Sequence, residues 1–499
     1  MIYGPKRGHF LYIFQNIFKD FGLVMIFLIV GIIIGDFSIL LSNVYIVIIV
    51  CLTPIMRVCE YLTTYISIDE DNLYVNTGFI KKRKQQMPID SITNIDLTQS
   101  MVFQVFKVYA VIIENSADMN SVFNKKIKIV LTESDVKIFK RLLLKDAEES
   151  LENDSKIYGK ASKYENVNMA TSKEIFIFGL LKSNFLIVIQ AISIVGAGAS
   201  IGAKVFSKVE IDESDVWFEI FSRLDGFQII IVFLVALILI GTVLSVIVNI
   251  IKFWNFRIED KGESFFIEYG LFMKRTHTLV KEKISGINYK QPVLMRIFKV
   301  GYLEVSAIGY GSADADESGT SMFYPFIKEK YLEKFINDWT VEFSFADPVE
   351  LCDKKALKYF FLTPRLGVAI VIFVMSLLYL DNLNAMTKDF FVDAGLGIVF
   401  LCGLILISAV VSVILEFRLM GISGNKENIK AVYGGINKNT VVLKTKHIES
   451  IVDTGSKLKR RNGFVTLKMG VFAPIISNSY VVKNIKIEGY NSIKNVLNY

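Results

Sequence analysis

The chain has 499 residues, of which 52% are hydrophobic and 21% are charged, with a formal net charge of +7 at pH 7. Soluble globular proteins carry about 25% charged residues, and uninterrupted apolar runs of about 20 residues are typical of membrane-spanning helices. The composition and the runs therefore exclude a purely soluble protein and an intrinsically disordered one.

Six apolar runs follow one another along the chain in three pairs. At a rise of 1.5 Å per residue, about 20 helical residues cross the roughly 30 Å hydrocarbon core of a bilayer. The runs therefore predict six transmembrane helices in three hairpins, and the first is interpreted as an anchor helix rather than a cleaved signal peptide. The runs are Phe21–Gly35 (continued by Phe37–Leu41), Val44–Met56, Asn184–Ala203, Phe227–Ile251, Leu366–Leu380 and Ala394–Leu415.

The interiors of these runs carry packing signals and no ionisable side chain. Gly31 and Gly35, and likewise Gly198 and Gly202, form GxxxG motifs, in which small residues let two helices approach closely. These glycines are predicted to pack helices within the bundle, with ordinary membrane glycines as the alternative. Coupled transporters usually keep ionisable groups within the membrane, so the uncharged interiors argue against coupled transport.

The distribution of lysine and arginine predicts the orientation in the membrane. The turns inside the three pairs, Asp36–Asn43, Lys204–Gly226 and Asp381–Asp393, hold only 4 of the 56 basic residues. Cytoplasmic segments of membrane proteins carry the excess of lysine and arginine. Both termini and all large segments are therefore expected on the cytoplasmic side of a plasma membrane that the chain crosses several times.

The segments that follow the second helix of each pair repeat one another three times. We count repeat positions from Gly78, Gly270 and Gly434, which lie in predicted hairpin turns. Position 14 is isoleucine in all three copies, and so is position 17. The first two copies continue without a gap to a Phe-Lys-Val block at position 28, whereas the third is expected to need a deletion of about two residues there.

Each repeat is predicted to fold as a small β-barrel closed by a C-terminal helix. Alternating strand patterns surround the glycine turn, further β-rich runs follow, and an amphipathic helical pattern ends each copy. The helical patterns cover Ser134–Leu151, Lys328–Trp339 and Ser492–Tyr499. The predicted fold class is therefore an α+β integral membrane protein, with six transmembrane helices in three hairpins, each followed by a cytosolic barrel.

These elements divide the chain into regions that alternate between membrane and cytosol. The linker among them is polar and charged and lacks an apolar period, so it is predicted to be a flexible tether. The regions are an N-terminal interfacial segment with transmembrane pair 1 (1–60), module 1 (61–151), the polar linker (152–172), transmembrane pair 2 (173–252), module 2 (253–345), transmembrane pair 3 (354–416) and module 3 (417–499).

Aromatic amphipathic stretches flanked by basic residues precede the three helix pairs. They are Phe10–Phe14, Ile175–Phe178 and Leu357–Phe361. Aromatic rings beside lysines suit the membrane–water interface, so these stretches are predicted to be interfacial helices. The alternative is that they form the first turns of the spans.

Strands followed by one closing helix are the plan of pleckstrin-homology (PH) domains. With a helix pair before each copy, a glycine turn followed by basic residues, and an I-x-x-I motif, the sequence resembles the bacterial membrane-anchored PH-like domain family of the YdbT type. The resemblance covers nearly the whole chain, and module 3 departs most, with Gly434-Gly435 and no Phe-Lys-Val block. It implies a non-enzymatic membrane protein, a smaller single-module PH-like membrane protein as partner, and a role in tolerance of bacteriocins and other antimicrobial peptides.

Sequence patterns give no support to enzymatic chemistry. The four cysteines form no CxxC pair, and no glycine-rich nucleotide-binding loop opens a helix. His277 and His447 stand at positions 7 and 13, whereas a shared catalytic role would place them at one position, so each is predicted to be a surface or packing histidine. We therefore expect no catalytic residue, cofactor or metal, and the net charge gives no reason to expect a nucleic-acid partner.

The strongest functional signal is positive charge just after the glycine turns. Juxtamembrane lysines gain about 1 kcal/mol each from an anionic leaflet. The basic residues are therefore predicted to contact anionic lipid headgroups or a partner protein, with a solvated loop as the alternative. They are Lys81, Lys82, Arg83 and Lys84 in module 1, and Lys274 and Arg275 in module 2.

Two functions fit this sequence. In the first, a non-catalytic membrane scaffold docks partner proteins or the anionic inner leaflet through its PH-like modules and contributes to envelope protection. In the alternative, the helices form a lipid- or peptide-handling, transporter-like protein. The uncharged helix interiors favour the scaffold.

Overall fold

A computed structural model gives the structure of most of the chain. Two of the apolar runs, Phe21–Gly35 with Phe37–Leu41 and Asn184–Ala203, lie outside the described residues, and with them the four GxxxG glycines. Lys81 also lies outside. The described residues are 3–13, 44–78, 82–89, 92–115, 127–143, 167–182, 226–307, 320–340, 342–345, 348–386, 389–471 and 478–496.

Module 1 places two antiparallel sheets and one helix around a shared core. The first sheet has the order β1-β2-β3-β4, and strands β5, β6 and β7 belong to the second. The apolar faces of both sheets meet the inner face of α3 at Phe139. The N-terminal strand β1 therefore belongs to the module, although the apolar helices separate it from the other strands in sequence. The elements are β1 (Tyr3–Lys6), α1 (Val44–Thr63), β2 (Tyr65–Ile68), β3 (Asn72–Thr77), β4 (Arg83–Pro88), β5 (Ile92–Ser100), α2 (Met101–Val105), β6 (Val108–Asn115), β7 (Ile127–Thr132) and α3 (Glu133–Leu143).

Module 2 repeats this plan around the largest core among the described residues. Its extra N-terminal strand, β8, lies at the end of the stretch predicted as a flexible linker and pairs with β9. The elements are β8 (Val167–Met169), α4 (Ser172–Leu181), α5 (Gly226–Lys252), β9 (Arg257–Asp260), β10 (Ser264–Tyr269), β11 (Met273–Val280), β12 (Ile284–Gln291), α6 (Val293–Ile297), β13 (Val300–Ala307), β14 (Thr320–Lys328) and α7 (Leu332–Trp339).

Module 3 has the same order of elements. Its short N-terminal strand β15 pairs with β16, as β1 and β8 pair with the first hairpins of their modules. The elements are β15 (Glu350–Leu351), α8 (Leu357–Phe361), α9 (Pro364–Met386), α10 (Asp389–Leu419), β16 (Gly421–Gly424), β17 (Asn428–Tyr433), β18 (Lys438–Lys444), β19 (Ile448–Thr454), α11 (Lys457–Arg461), β20 (Phe464–Val471), β21 (Asn478–Lys486) and α12 (Ile487–Val496).

The third repeat follows the first two without a deletion. The short helices α2, α6 and α11 all occupy positions 23–27, and the next strand begins at position 30 in each module. Position 29 has a positive φ in every copy, at Lys107 (51°), Lys299 (53°) and Gly463 (80°). The expected deletion is therefore wrong: the residue types change in module 3 while the backbone keeps its length.

The strands of the described residues do not close into the predicted barrels. Instead, the second half of one module and the first half of the next form a single sheet. One seven-stranded sheet has the order β7-β6-β5-β11-β10-β9-β8, and another has the order β14-β13-β12-β18-β17-β16-β15. The physical reason is that the outer backbone groups of β11 and β18 pair with the preceding module, so they are not available to close a ring within their own module.

Four of the predicted transmembrane runs fall on the long helices α1, α5, α9 and α10. Among the described residues, Cys402–Leu419 within α10 is long and apolar enough to cross a membrane alone, with a mean hydropathy of 2.1. A second candidate joins Lys354–Phe361 to Pro364–Tyr379, which meet at 49°. Helix α5 also exposes apolar side chains along Leu239–Val248 and packs against α10.

The aromatic stretches ahead of the spans are helical and lie against their own modules. Helix α4 begins at a capping box formed by Thr171 and Glu174, and it buries Ile175, Phe178 and Leu181 in the core of module 2. Helix α8 likewise buries Tyr359 and Phe360 in module 3. The other face of each helix stays exposed, with Phe176, Leu180 and Phe361 on it. In the described residues, α4 packs against α5, and α8 leads directly into α9, so both helices lie between the core of their module and an apolar helix.

Candidate docking surface

The basic residues of module 1 lie on an exposed strand. Lys82 immediately precedes β4, and Arg83 and Lys84 are its first two residues. All three side chains are exposed, and β4 is the outermost strand of its sheet. The predicted cluster is thus accessible to a lipid headgroup or a partner over the three residues that the structure describes.

The basic residues of module 2 occupy the same repeat positions in a different setting. Lys274 and Arg275 lie on β11, where they are partners of Gln99 and Thr98 in strand β5 of module 1. The pair therefore lies at a junction between two modules rather than on a free hairpin. Sequence patterns missed this junction, because strand pairing depends mainly on backbone groups that every residue carries.

Both junctions have one backbone register. At the first, Arg275 at position 5 faces Thr98 at position 20. At the second, between β12 and β18, Asn439 at position 5 faces Lys290 at position 20. Every other partnered pair obeys the same rule, that the two repeat positions add up to 25. Each module therefore attaches to the next in the same way.

The first junction contains a buried polar chain. His277 on β11 is 3% exposed, and its Nδ1 donates to the Oδ1 of Asp96 on β5 at 2.9 Å. The Nε2 of the same ring lies 3.2 Å from the hydroxyl of Tyr269. His277 is thus a packing histidine that links two modules, in agreement with one of the two roles predicted for it. A buried hydrogen-bonded or ionic pair is costly to break. The contacts of His277 with Asp96 and Tyr269 therefore fix module 1 against module 2.

The second junction is filled mainly by apolar groups. Val442 of β18 is fully buried in the core of module 2, while its neighbours Val441 and Leu443 belong to the core of module 3. Two polar contacts flank this seam. Asn288 donates to the hydroxyl of Tyr433 at 3.3 Å, and the hydroxyl of Tyr480 lies 2.9 Å from that of Ser306. Burial raises the pKa of Tyr480 to about 12. Residues of both modules therefore share one packed interior.

The glycine turns lie against the ends of the apolar helices. The N–H of Gly270 donates to the carbonyl of Trp254 at 2.9 Å, and the N–H of Leu271 donates to Ile251, near the end of α5, at 3.0 Å. In module 3, a Cβ on Gly435 would come within 2.6 Å of the backbone oxygen of Ser412 in α10. Gly270 and Gly434 thus supply the positive φ of the turns, and Gly435 permits the close approach to α10. These contacts hold the modules beside the helices.

Exposed apolar residues recur on the short helices of modules 1 and 2, next to these turns. The side chain of Gln104 in α2 donates to the carbonyls of Leu271 and Phe272 at 3.3 Å, which places α2 beside the second turn. Val105 in α2 is 78% exposed, and Phe298 after α6 is 64% exposed. The exposed apolar residues are Met101, Val102, Val105 and Phe106 in module 1, Leu271, Phe272 and Met273 in the turn, and Val293, Leu294, Ile297 and Phe298 in module 2.

Module 3 carries charge where modules 1 and 2 are apolar. Its short helix reads Lys457-Leu-Lys-Arg-Arg461, and only Leu458 is an exposed apolar side chain. We call the exposed apolar residues of modules 1 and 2, together with Lys82–Lys84, Lys274 and Arg275, the basal surface. It combines apolar side chains with cations, as surfaces that rest on a bilayer interface do.

The described residues contain no group of three or more His, Cys, Asp or Glu side chains placed to hold a metal ion. A cleft of about 460 Å³ lies between modules 2 and 3, lined among others by Glu329, Lys430 and Lys438, and Lys438 pairs with Glu329 at 3.2 Å. Burial raises the pKa of the Cys352 thiol to about 12, which keeps this cysteine in its unreactive form.

A model of the bacterial PH domain matches residues 22–146 and 206–337, together a little more than half of the chain. The chain belongs to the bacterial PH domain family. The first matched region covers both apolar runs before module 1 and most of that module, and the second covers the run Phe227–Ile251 and most of module 2, so the match agrees with the internal repeat. No solved structure shows a significant match.

One curated relative of this PH-domain protein is the UPF0699 transmembrane protein YdbT of Bacillus subtilis (strain 168). The two sequences are 21% identical over 307 residues, which is 58% of this chain and 59% of the relative. The chain therefore matches less than two thirds of the length of that relative. The name of the relative supports a membrane protein of the YdbT type, as the sequence motifs indicated.

Proposed function

We propose that this protein is a non-catalytic membrane scaffold whose three PH-like modules form one cytoplasmic platform on the inner leaflet. The observation that carries the proposal is the pair of continuous seven-stranded sheets, which join module 1 to module 2 and module 2 to module 3. Separate ligand-binding domains on flexible tethers would not need such joints. A joined row provides a fixed surface on which other proteins can assemble.

The joined sheets also support a multi-pass arrangement with all modules on one side. Paired strands cannot lie on opposite faces of a bilayer, since a hydrogen-bonded sheet that crossed the apolar core would expose its edges to lipid. The apolar segment between two modules must then cross the membrane an even number of times or not at all. Six helices in three hairpins, with both termini in the cytoplasm, satisfy this condition.

The basal surface is proposed to rest on the anionic inner leaflet. Leu271 lies within hydrogen-bond distance of the last turn of α5, which supports locating the apolar tip of the module 2 turn where an apolar helix would leave the bilayer. Lys274 follows this tip in β11, and Lys82–Lys84 hold the corresponding repeat positions after the glycine of module 1. Each can gain about 1 kcal/mol from anionic lipid near the surface, weakened by salt beyond a Debye length of about 8 Å.

The platform is proposed to dock a smaller membrane protein with a single PH-like module and to contribute to protection of the envelope against bacteriocins or other antimicrobial peptides. These two points rest on the family resemblance. The uncharged interiors of the apolar runs are compatible with them and favour docking over transport.

Topology is tested by cysteine labelling in intact cells with a membrane-impermeant reagent. Cysteines placed at Asp212 and Asn384, in the turns of the second and third pairs, should be labelled from outside. A cysteine placed at Asn120 in module 1 should be labelled only after permeabilisation. Labelling of Asn120→Cys from outside would overturn the cytoplasmic platform.

Function is tested in a deletion strain challenged with a panel of pore-forming peptides. The wild-type gene should restore tolerance, and a Lys82→Glu, Arg83→Glu, Lys84→Glu variant should restore less while reaching the same abundance in the membrane. The matched control removes three exposed lysines elsewhere in the joined row, with Lys328→Glu, Lys330→Glu and Lys334→Glu. Equal tolerance in both variants would refute a role for the basal surface. Export of a lipid or peptide by purified protein in vesicles would favour the transporter instead.

A further inference from the structure

Two strand edges of the kind used at the junctions have no neighbouring strand among the described residues. Strand β4 ends the first sheet of module 1, and β19 ends the last sheet of module 3. In repeat terms, β4 corresponds to β11 and β18, while β19 corresponds to β5 and β12. One copy of the chain thus carries both halves of a third junction at opposite ends of its row of modules.

The strand β19 has the same local geometry as the strands that form the existing junctions. Its pairing with the next strand is irregular between Ile448 and Ser450, at positions 14 and 16. The pairing of β5 and that of β12 are irregular at the same two positions. The strand β4 also matches its counterparts: Ile89, Lys281 and Thr445, all at position 11, each donate an N–H at 2.9 Å to the loop before the preceding strand.

This match fixes which backbone groups face outward. Residues alternate along a strand, so the N–H and C=O groups of positions 4, 6 and 8 point away from the preceding strand when those of position 11 point toward it. At the second junction these are Lys438, Thr440 and Val442, which face positions 21, 19 and 17. On β4 the corresponding residues include Lys84 and Gln86, whose partners in the same register would be Asp453 and Ile451 on β19.

The side chains in this register are complementary. Lys84 would face Asp453, and opposite charges directly across an antiparallel pair are favourable. Val452 on β19 is 48% exposed, although it lies on a strand of the module core. It would face Gln85 at the position pair that Asp96 and His277 occupy in the first junction. Pairing would therefore cover an exposed apolar side chain and join two opposite charges.

The lysines on β4 do not exclude pairing. Lysine and proline on an outer strand usually protect it from association. Here, however, Lys274 and Arg275 occupy the positions of Lys82 and Arg83 on β11, which is paired with β5. Pro88 stands at position 10, beyond positions 3–9, which the two junctions use.

A side chain at position 26 crosses each existing junction. Gln104 donates to the turn of module 2, and the guanidinium of Arg296 donates to the carbonyl of Gly435 in module 3 at 3.1 Å. Arg460 has this position in module 3. It turns back onto its own strand, where it contacts the backbone oxygen of Asp453 at 3.3 Å and its carboxylate at 2.9 Å. The guanidinium of Arg460 thus binds the backbone carbonyl of Asp453, which would accept a hydrogen bond from the neighbouring strand if β19 were paired.

We propose that two copies of this chain associate head to tail, with β19 of one copy paired antiparallel to β4 of the next in the register of the internal junctions. The proposal stands independently of envelope protection. The contact is heterologous, because each copy contributes a different edge, so the association either closes into a ring or extends into a row of modules along the membrane.

The test is a cross-link between two differently tagged full-length copies expressed together, one with Val452→Cys and the other with Gln85→Cys. The two Cα atoms would lie about 4.5 Å apart in a pair without mutual hydrogen bonds, which a disulfide can span. Mild oxidation of isolated membranes should give a product of twice the chain mass that carries both tags. The control replaces Val452→Cys by Lys468→Cys, an exposed residue on β20 directly across from Val452. Its Cα would lie two strand spacings, about 9.5 Å, from that of Gln85, which is beyond the roughly 7 Å that a disulfide can span, so it should give no such product.

A charge exchange provides the second arm. Asp453→Lys and Lys84→Asp should each lower the yield of the cross-link severalfold, and copies that carry both changes should recover most of it. A lack of cross-link between cysteines that react with a small maleimide would overturn the proposal. So would a product that joins Val452→Cys only to a smaller membrane protein, since a single-module partner would then occupy the edge, and so would an equal yield from Lys468→Cys.

Discussion

The two internal junctions share one register and differ in what fills it. At positions 18 and 7, the first junction holds Asp96 and His277, and the second holds Asn288 and Val441. The first is thus joined by a buried polar chain, and the second by the apolar seam around Val442. Since unlike side chains occupy the same register, the register comes from the repeated backbone, namely strands β5 and β12 that both begin at position 14 and share an irregularity between positions 14 and 16.

The largest effect is expected at the polar chain. Asp96→Ala leaves His277 buried without its carboxylate, and the loss of such a hydrogen bond costs about 2–3 kcal/mol. Amides of β5 and β11 should then exchange roughly 30- to 150-fold faster in hydrogen-exchange mass spectrometry of the full chain, if they exchange by local opening. Asn288→Ala, at the same position of the second junction, should cost less than 1 kcal/mol, because it removes one long bond to Tyr433.

A transplant sharpens this prediction. Asp96→Asn together with His277→Val installs the residue types of the second junction in the first, and it should recover much of the protection that Asp96→Ala loses. If the double variant were as unprotected as Asp96→Ala, the register of the first junction would depend on its side chains rather than on the backbone.

Next in size is the apolar seam. Val442→Ala deletes two methyl groups from the core of module 2 and should cost about 1.5–2 kcal/mol, seen as faster exchange in β12 and β18. Thr278→Ala at the same position of module 2 is the matched control, because Thr278 is only half-buried. A similar loss in both variants would show that the two junctions are filled alike.

The crossing side chains at position 26 should contribute less. Arg296→Ala removes a charge-assisted bond to Gly435 and is expected to cost about 1 kcal/mol. Gln104→Ala removes longer, exposed bonds and should cost about 0.5 kcal/mol. Hydrogen exchange of the backbone amides in the glycine turns of modules 2 and 3 measures the effects of the two substitutions. A larger loss for Gln104→Ala would reverse the expected order.

Acid should loosen the second junction by the smallest amount. The hydrogen bond from Lys444 of β18 holds the pKa of Glu342, at the end of module 2, below its ordinary value of 4.5. A lowered folded pKa gives stability that is present above the ordinary pKa and is lost as the pH falls through the folded value. Because Glu342 is largely exposed, about 0.5 kcal/mol is expected, measured as exchange in β18 between pH 6 and pH 3. Glu342→Gln should remove this pH dependence, and no change in wild type would contradict it.

Much of the architecture could be predicted from the sequence. The repeat, its glycine turns, the closing helices and the long apolar helices all depend on local patterns, namely the periods of 2 and 3.6 and the need for positive φ at Gly78, Gly270 and Gly434. Short elements escaped prediction. Strands β8 and β15 have three and two residues, too few to show any period, and they are strands only because β9 and β16 offer them an edge.

The candidate surface was predicted only in part. The sequence indicated the positive charge of Lys82–Lys84, Lys274 and Arg275, but it gave no indication of the exposed apolar side chains that we group with them. Val105 and Phe298 look like core residues by type, and the fold alone places them outside. Likewise His277 carried no signal in sequence, because its partner Asp96 is 181 residues away.

By itself, the sequence determined three modules, their order and the long apolar helices α1, α5, α9 and α10, since these follow from side-chain patterns a few residues long. The tertiary structure decided how the modules are joined. A strand edge binds through N–H and C=O groups that all residues share, so nothing in the letters of β5 or β11 distinguishes an edge that closes a barrel from one that pairs with the next module. That choice depends on where the irregular strand segments at positions 14–16 and the apolar helices bring the edges together. As a result, the modules form one joined row instead of the three predicted barrels.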